Sequence, residues 1–204
     1  MKNIITTLAF GAFLLLQPAF AIAEPLGVED KFIDFTLPDH NNRLVTLSEE
    51  LKKGPVVLSF YRGGWCPICN RQLFSYQQIL PKIQEAGAQL IAVSPETPGH
   101  AEKTITANNI DFTVLSDVGN VTARDYGILW QVPEDSRENF SKWLQETTGE
   151  SLSDFNAQEG YGLPMPATFV ITKNGTIAYA FVDPDYKKRA DNNEILQILQ
   201  TLEQ

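Results

Sequence analysis

The sequence predicts an α/β fold, a mixed central sheet covered by helices on both faces. Three observations carry this. Apolar runs at Val56 to Phe60, Leu90 to Val93 and Phe112 to Leu115 are each followed by a helical pattern, the alternation that builds parallel sheets. A later run, Ala167 to Ile171, leads to Asn174-Gly175, a strong two-residue hairpin signal, and Thr176 to Val182 returns antiparallel. An amphipathic pattern with Ile195, Leu196, Ile198, Leu199 and Leu202 closes the chain.

The first element is a leader. Lys2 precedes an apolar stretch, Ile4 to Leu16, and Ala21-Ile22-Ala23 gives an A-x-A cleavage site before Glu24. The stretch is shorter than the ~20 residues of a spanning helix. Residues 1–23 therefore read as a cleaved signal peptide, and the chain is expected to be exported, periplasmic or secreted, with no stable membrane insertion afterwards. Phe32 to Leu37 and Leu44 to Leu47, joined by Asp39-His40-Asn41-Asn42, read as an N-terminal hairpin. Ser48 is a candidate N-cap for a short turn through Leu51.

The helix after Val56 to Phe60 spans Asn70 to Ala86, with Leu73, Phe74, Tyr76, Ile79, Leu80 and Ile83 on one face. Pro81 should kink it and Gly87 end it. Pro95 to Gly99 reads as a loop, Ala101 to Asn108 as a helix and Val121 to Tyr126 as a short one. Near 130–160 the alternation breaks. Arg137 to Thr147 is helical, with Phe140, Trp143 and Leu144 on one side, and forms an insertion that packs over the domain, edges the site or is a plain surface excursion. Asp191 and Glu194 match an Asp version of the capping box. The chain from 24 to 204 reads as one domain.

Composition removes several classes of function. A formal net charge of −9 with no basic patch argues against nucleic acid as partner, because phosphate binding needs clustered Lys and Arg. Two cysteines and two histidines do not supply a structural zinc site, and His40 and His100 sit in loop-like sequence without ligand spacing. No cofactor or metal is expected.

Both cysteines of the chain lie in one stretch, Arg62-Gly63-Gly64-Trp65-Cys66-Pro67-Ile68-Cys69, between a strand and a helix. A disulfide there would close a very small loop and constrain the unfolded chain little. Cys-x-x-Cys in a βαβ setting points instead to redox use. Cys66 stands before Pro67, a residue suited to the first helical position, so unpaired N–H groups and the helix dipole favour its thiolate. Arg62 can add positive charge. Cys69, one turn further, can resolve an intermediate formed at its partner. Trp65 reads equally as a lid over the thiols or as a core aromatic.

At these residues the chain resembles the peroxiredoxin-like branch of the alkyl hydroperoxide reductase and thiol-specific antioxidant family. The resemblance runs through the Arg-Gly-Gly-Trp-Cys-Pro-Ile-Cys stretch, Leu115-Ser116-Asp117, Pro166 to Ile171 and Val182 to Tyr186. It implies a thioredoxin fold and thiol-dependent reduction of peroxides, with reducing power from a thioredoxin-type partner. The pattern also departs from the family. Arg62 occupies the position of a family proline, Cys66 that of a threonine, and Pro166 that of an arginine, while Cys69 falls on the peroxidatic cysteine. Cys66 and Pro166 match the dithiol and the cis-proline of thioredoxin. Pro166 also reads as an ordinary proline at a strand start.

The resemblance therefore implies two mechanisms. In one, Cys69 attacks a peroxide and Cys66 condenses with the sulfenic acid. In the other, Cys66 attacks a protein disulfide and Cys69 resolves it. A non-enzymatic binding module with a structural Cys66–Cys69 bridge is the third reading.

Overall fold

The computed structural model describes residues 24–202. The expected leader at 1–23 lies outside them. Two short strands, β1 (Thr36–Pro38) and β2 (Leu44–Thr46), pair antiparallel as the N-terminal hairpin. Next come α1 (Leu47–Lys53), β3 (Val56–Phe60), α2 (Pro67–Glu85), β4 (Gln89–Ser94), α3 (Pro98–Asn108), β5 (Thr113–Ser116) and α4 (Val121–Asp125). The insertion holds β6 (Leu129–Gln131), α5 (Glu134–Thr148), α6 (Leu152–Asn156) and β7 (Gly162–Pro164). The chain then forms β8 (Ala167–Ile171), β9 (Ile177–Val182) and α7 (Asn192–Leu202).

The central sheet has the order β5-β4-β3-β8-β9. β3, β4 and β5 run parallel; β8 and β9 are antiparallel additions. Every residue of β3 and β8 is buried, which is why both runs are apolar without a polar face. Alternate side chains serve two cores. Val57, Ala92, Val114 and Val170 meet α2, α3 and α7 on one face. Val56, Leu58, Phe60, Val93, Leu115 and Phe169 meet α1 and Tyr126, beyond the end of α4, on the other. The predicted mixed sheet with helices on both faces is therefore present. Among the described residues no helix is long and apolar enough to cross a membrane.

Several local expectations change. Ser48 does not cap α1: it lies inside the helix, the cap position is Thr46, and the Asp34 carboxylate takes the Ser48 N–H at 2.9 Å from the hairpin. The loop at 95–99 is shorter than expected, because Thr97 caps α3 and Pro98 occupies its first turn. The Asp191–Glu194 capping box does not close, although Asp191 still caps α7 through the second helical residue. Asp191 accepts the Asn193 N–H at 2.7 Å, but Glu194 turns away and accepts from the Tyr179 hydroxyl at 2.9 Å. α2 runs through Pro81 to Glu85, and Gly87 follows in the left-handed region.

The insertion is anchored at both ends. β6 and β7 pair antiparallel, so the chain leaves and re-enters at one place. Further out, His100 in the first turn of α3 is bonded to Glu150 at 2.6 Å and to Thr97 at 2.9 Å. The Thr97 N–H donates to the Phe155 carbonyl at 2.8 Å. His100 is thus a largely buried link between α3 and the insertion, not an exposed loop histidine.

The second core depends on a cluster of edge-on rings: Phe169 lies edge-on to Phe60 at 6.2 Å and to Tyr126 at 5.6 Å. Phe169→Ala empties that cluster and should cost about 3–5 kcal/mol of stability, read as a lower urea midpoint with an unchanged slope.

Candidate active site

The end of β3 delivers the chain to Gly63 and Gly64. Gly63 has φ +144°, and a Cβ there would lie 2.3 Å from the Trp65 indole nitrogen. Gly64 lies against α3, where a Cβ would come within 2.0 Å of the Thr104 hydroxyl. Both glycines are therefore fixed by close approach. The Gly64 N–H donates to Glu96 at 2.9 Å and its carbonyl accepts from Asn70 at 2.6 Å. Cys66 then occupies the N-cap of α2 with Pro67 next, as the sequence suggested.

Both cysteines are free thiols in the same first turn of α2. Their environments differ. Cys66 is lowered to about 6. The Cys69 thiol beside it is the largest cause, working against burial; the N–H groups of Cys69 and Ile68 and the charge of Arg62 assist. Cys69 is wholly buried, and that burial pushes its thiol well up, with the Cys66 sulfur adding to the effect. The Arg62 backbone N–H and the Arg189 guanidinium oppose the rise. Arg189 Nη2 stands 3.6 Å from Cys69 Sγ.

Cys66 forms part of the floor of an open cleft of about 420 Å3, walled by Trp65, Ile68, Phe140, Trp143, Tyr186 and Arg62. Trp65 is a core aromatic that also lines the cleft: it is 7% exposed and meets Phe140 and Trp143 edge-on at 5.5 and 6.2 Å. The insertion thus supplies one wall. Arg62 is buried, with its guanidinium 5.1 Å from the Trp65 ring centre and 4.5 Å from that of Tyr186. Its Nε has no hydrogen-bond partner, and it enters no ion pair among the described residues.

Pro166 differs from expectation. It is buried one residue before β8, its peptide bond is trans, and it is not among the residues lining the cleft. The pairing of Phe60 with Ala167 puts Pro166 past the paired end of β3, so its place is a strand start. Three residues near the thiols escaped the sequence reading: Arg189 and Tyr186, on the segment after β9, and Glu96, after β4. Only the Val182 to Tyr186 match hinted at that segment.

The AhpC/TSA family model matches residues 28–180. Peroxiredoxin Q from Oryza sativa subsp. japonica is 30% identical over 169 residues, covering 83% of this chain. The match covers 64% of the rice protein, so the chain spans less than two-thirds of that relative. Thiol-disulfide oxidoreductase ResA from Bacillus cereus is 26% identical over 143 residues, covering 70% of this chain and 82% of ResA. The crystal structure of peroxidoxin BcpB from Mycobacterium tuberculosis superposes with a TM-score of 0.68 at 21% identity, over 87% of this chain and 98% of that one, a likeness of fold.

Thiolate reactivity tests this electrostatic picture. Iodoacetamide alkylation of Cys66 in the reduced protein should reach half its limiting rate near pH 6. Cys69→Ala removes the strongest support for the thiolate, so the midpoint should move up; Arg62→Met should move it in the same direction by less.

Proposed function

The chain belongs to the AhpC/TSA family, and from that premise we propose a thiol-dependent peroxide reductase working through a Cys66/Cys69 dithiol–disulfide cycle. The observation that carries the reading is the asymmetry of the two thiols: a stabilised thiolate in the cleft beside an unpaired arginine, and a protonated thiol sealed behind it.

Cys66 attacks first in this reading. Its sulfur forms a bond to one peroxide oxygen as the O–O bond breaks, giving sulfenic acid at Cys66 and an alkoxide that takes a proton to become an alcohol. Arg62, whose N–H groups are not committed to a carboxylate, stabilises the leaving oxygen's charge. Cys69 then attacks the sulfenic sulfur. The S–S bond forms and water leaves, so one peroxide is reduced while two thiols are oxidised. Arg189 supports the Cys69 thiolate in that step and again when an external dithiol of thioredoxin type reopens the bridge, with Cys69 the leaving group. This order reverses the one implied by aligning Cys69 with the peroxidatic cysteine. We further propose that residues 1–23, read from sequence as a signal peptide, direct the chain out of the cytoplasm; N-terminal sequencing of the purified protein should then begin near Glu24.

A second reading keeps the same first step. The cleft is open and apolar enough to admit the flank of a protein disulfide, and the relative ResA is named for thiol–disulfide exchange. Cys66 would attack that disulfide and Cys69 resolve it.

Stopped-flow tryptophan fluorescence separates these readings, since Trp65 adjoins the reacting sulfur. Reduced protein mixed with cumene hydroperoxide should show a fast phase that Cys66→Ser abolishes. Cys69→Ser should keep that phase, accumulate a dimedone-trappable sulfenic acid and lose turnover. A phase lost only in Cys69→Ser reverses the order of attack. No peroxide phase, together with insulin-disulfide reduction lost in Cys66→Ser, selects the second reading.

A further inference from the structure

Glu96 follows β4 and is wholly buried, yet no Lys, Arg or His pairs with it among the described residues. A carboxyl group taken out of water is expensive unless its oxygens are filled. Here four donors converge. Oε1 accepts from the Gly64 N–H at 2.9 Å and from Thr104 at 3.2 Å. Oε2 accepts from the Tyr61 hydroxyl at 3.0 Å and from Ser94 at 3.2 Å. Burial, and Glu96 itself, push the Tyr61 hydroxyl well up, so it remains a proton donor.

These donors come from the end of β3, the cysteine loop, the end of β4 and α3. One of them, Gly64, is two residues from Cys66. Its peptide groups are held from both sides, the N–H by Glu96 and the carbonyl by Asn70. The Cys66 N–H closes the turn onto the Gly63 carbonyl at 3.0 Å. The path of the loop from Tyr61 to the N-cap of α2 is therefore set by what holds Gly64.

We propose that Glu96 is a positioning residue for the attacking thiolate, holding Gly64 so that the Cys66 sulfur sits against the first-turn N–H groups of α2. The proposal rests on the reading that Cys66 attacks first. Glu96 touches no substrate and acts through the loop. Without its acceptor, the half-buried Gly64 N–H must find water or another partner, and Cys66 moves with it. Charge stabilisation at a helix start falls off within the first turn, so a small displacement weakens it.

The experiment follows Cys66 alkylation by iodoacetamide against pH in the reduced full-length protein, with the modified residue identified by peptide mass. Glu96→Ala should raise the midpoint and slow alkylation at pH 5, below that midpoint, by about tenfold, the effect there of a one-unit rise on thiolate population. Glu96→Gln keeps an acceptor for Gly64 and should stay within about threefold by the same measure. Glu96→Asp, folded but one methylene too short to reach Gly64, should fall between. Ser94→Ala removes a donor to the same carboxyl away from the loop and should lower urea stability without moving the profile. A wild-type profile in Glu96→Asp, or a shift in Ser94→Ala as large as in Glu96→Ala, overturns the proposal. Where Glu96→Ala does not fold, Glu96→Asp and Ser94→Ala decide. No peroxide or disulfide is present in the assay, so alkylation at Cys69 instead of Cys66 in the wild type would count against the order of attack alone.

Discussion

The Cys66 sulfur stands at the N-cap of α2, where the N–H groups of Ile68 and Cys69 favour its thiolate, and the rest of the site is arranged around that position. A helix start is a place where backbone alone can hold an anion. It does so only if the sulfur is delivered to the cap position and kept there. β3 supplies the fixed end, since it pairs on both sides and is buried on both faces. Pro67 supplies the other, with a backbone angle already suited to the first helical residue. Between them the two glycines let the chain pass close to Trp65 and Thr104, where no side chain fits.

The dithiol is then enclosed from two directions by parts of the chain far away in sequence. The insertion brings Phe140 and Trp143 against Trp65, held by the β6–β7 pairing at its base and by the His100–Glu150 contact further out. The segment after β9 brings Tyr186 over Arg62 and Arg189 to Cys69. Both sulfurs are buried in one core cluster, but only Cys66 also lines the cleft.

The sheet was legible because burial on both faces leaves strands such as Val56 to Phe60 and Ala167 to Ile171 almost free of polar residues, a pattern that survives without tertiary knowledge. The start of α2 was legible for a similar reason: proline after cysteine is a local signal. β6 and β7, three residues each, are too short to show any period. The Asp191 and Glu194 pair was read correctly as a cap at one residue and not at the other, because Tyr179 on a neighbouring strand competes for the Glu194 carboxylate. Glu96 and Arg189 carried no local signal. Their partners lie 32 and 120 residues away, a separation that only the fold can close. Pro166 was ambiguous for the opposite reason: a proline before a strand fits two roles, and sequence does not choose between them.

The placement of Arg62 bears most directly on chemistry. A buried guanidinium is ordinarily neutralised by a carboxylate, and such a pair would spend its donors and cancel its field. Here two aromatic faces hold it instead. A cation over a π-face is stabilised from one side of its plane, an attraction of about 0.5–2 kcal/mol, while its N–H edge stays unsaturated. That edge lies in the same cleft as the thiolate. The arrangement favours the Cys66 anion and, in the proposed reaction, offers donors to the oxygen anion that leaves. A lysine at this position would not serve equally, because its compact ammonium lacks the planar fork and stacks poorly on two rings at once. The family's threonine and arginine positions are filled here by Cys66 and Pro166. A guanidinium from the loop and a second one from the segment after β9 provide charge at each sulfur by a different route.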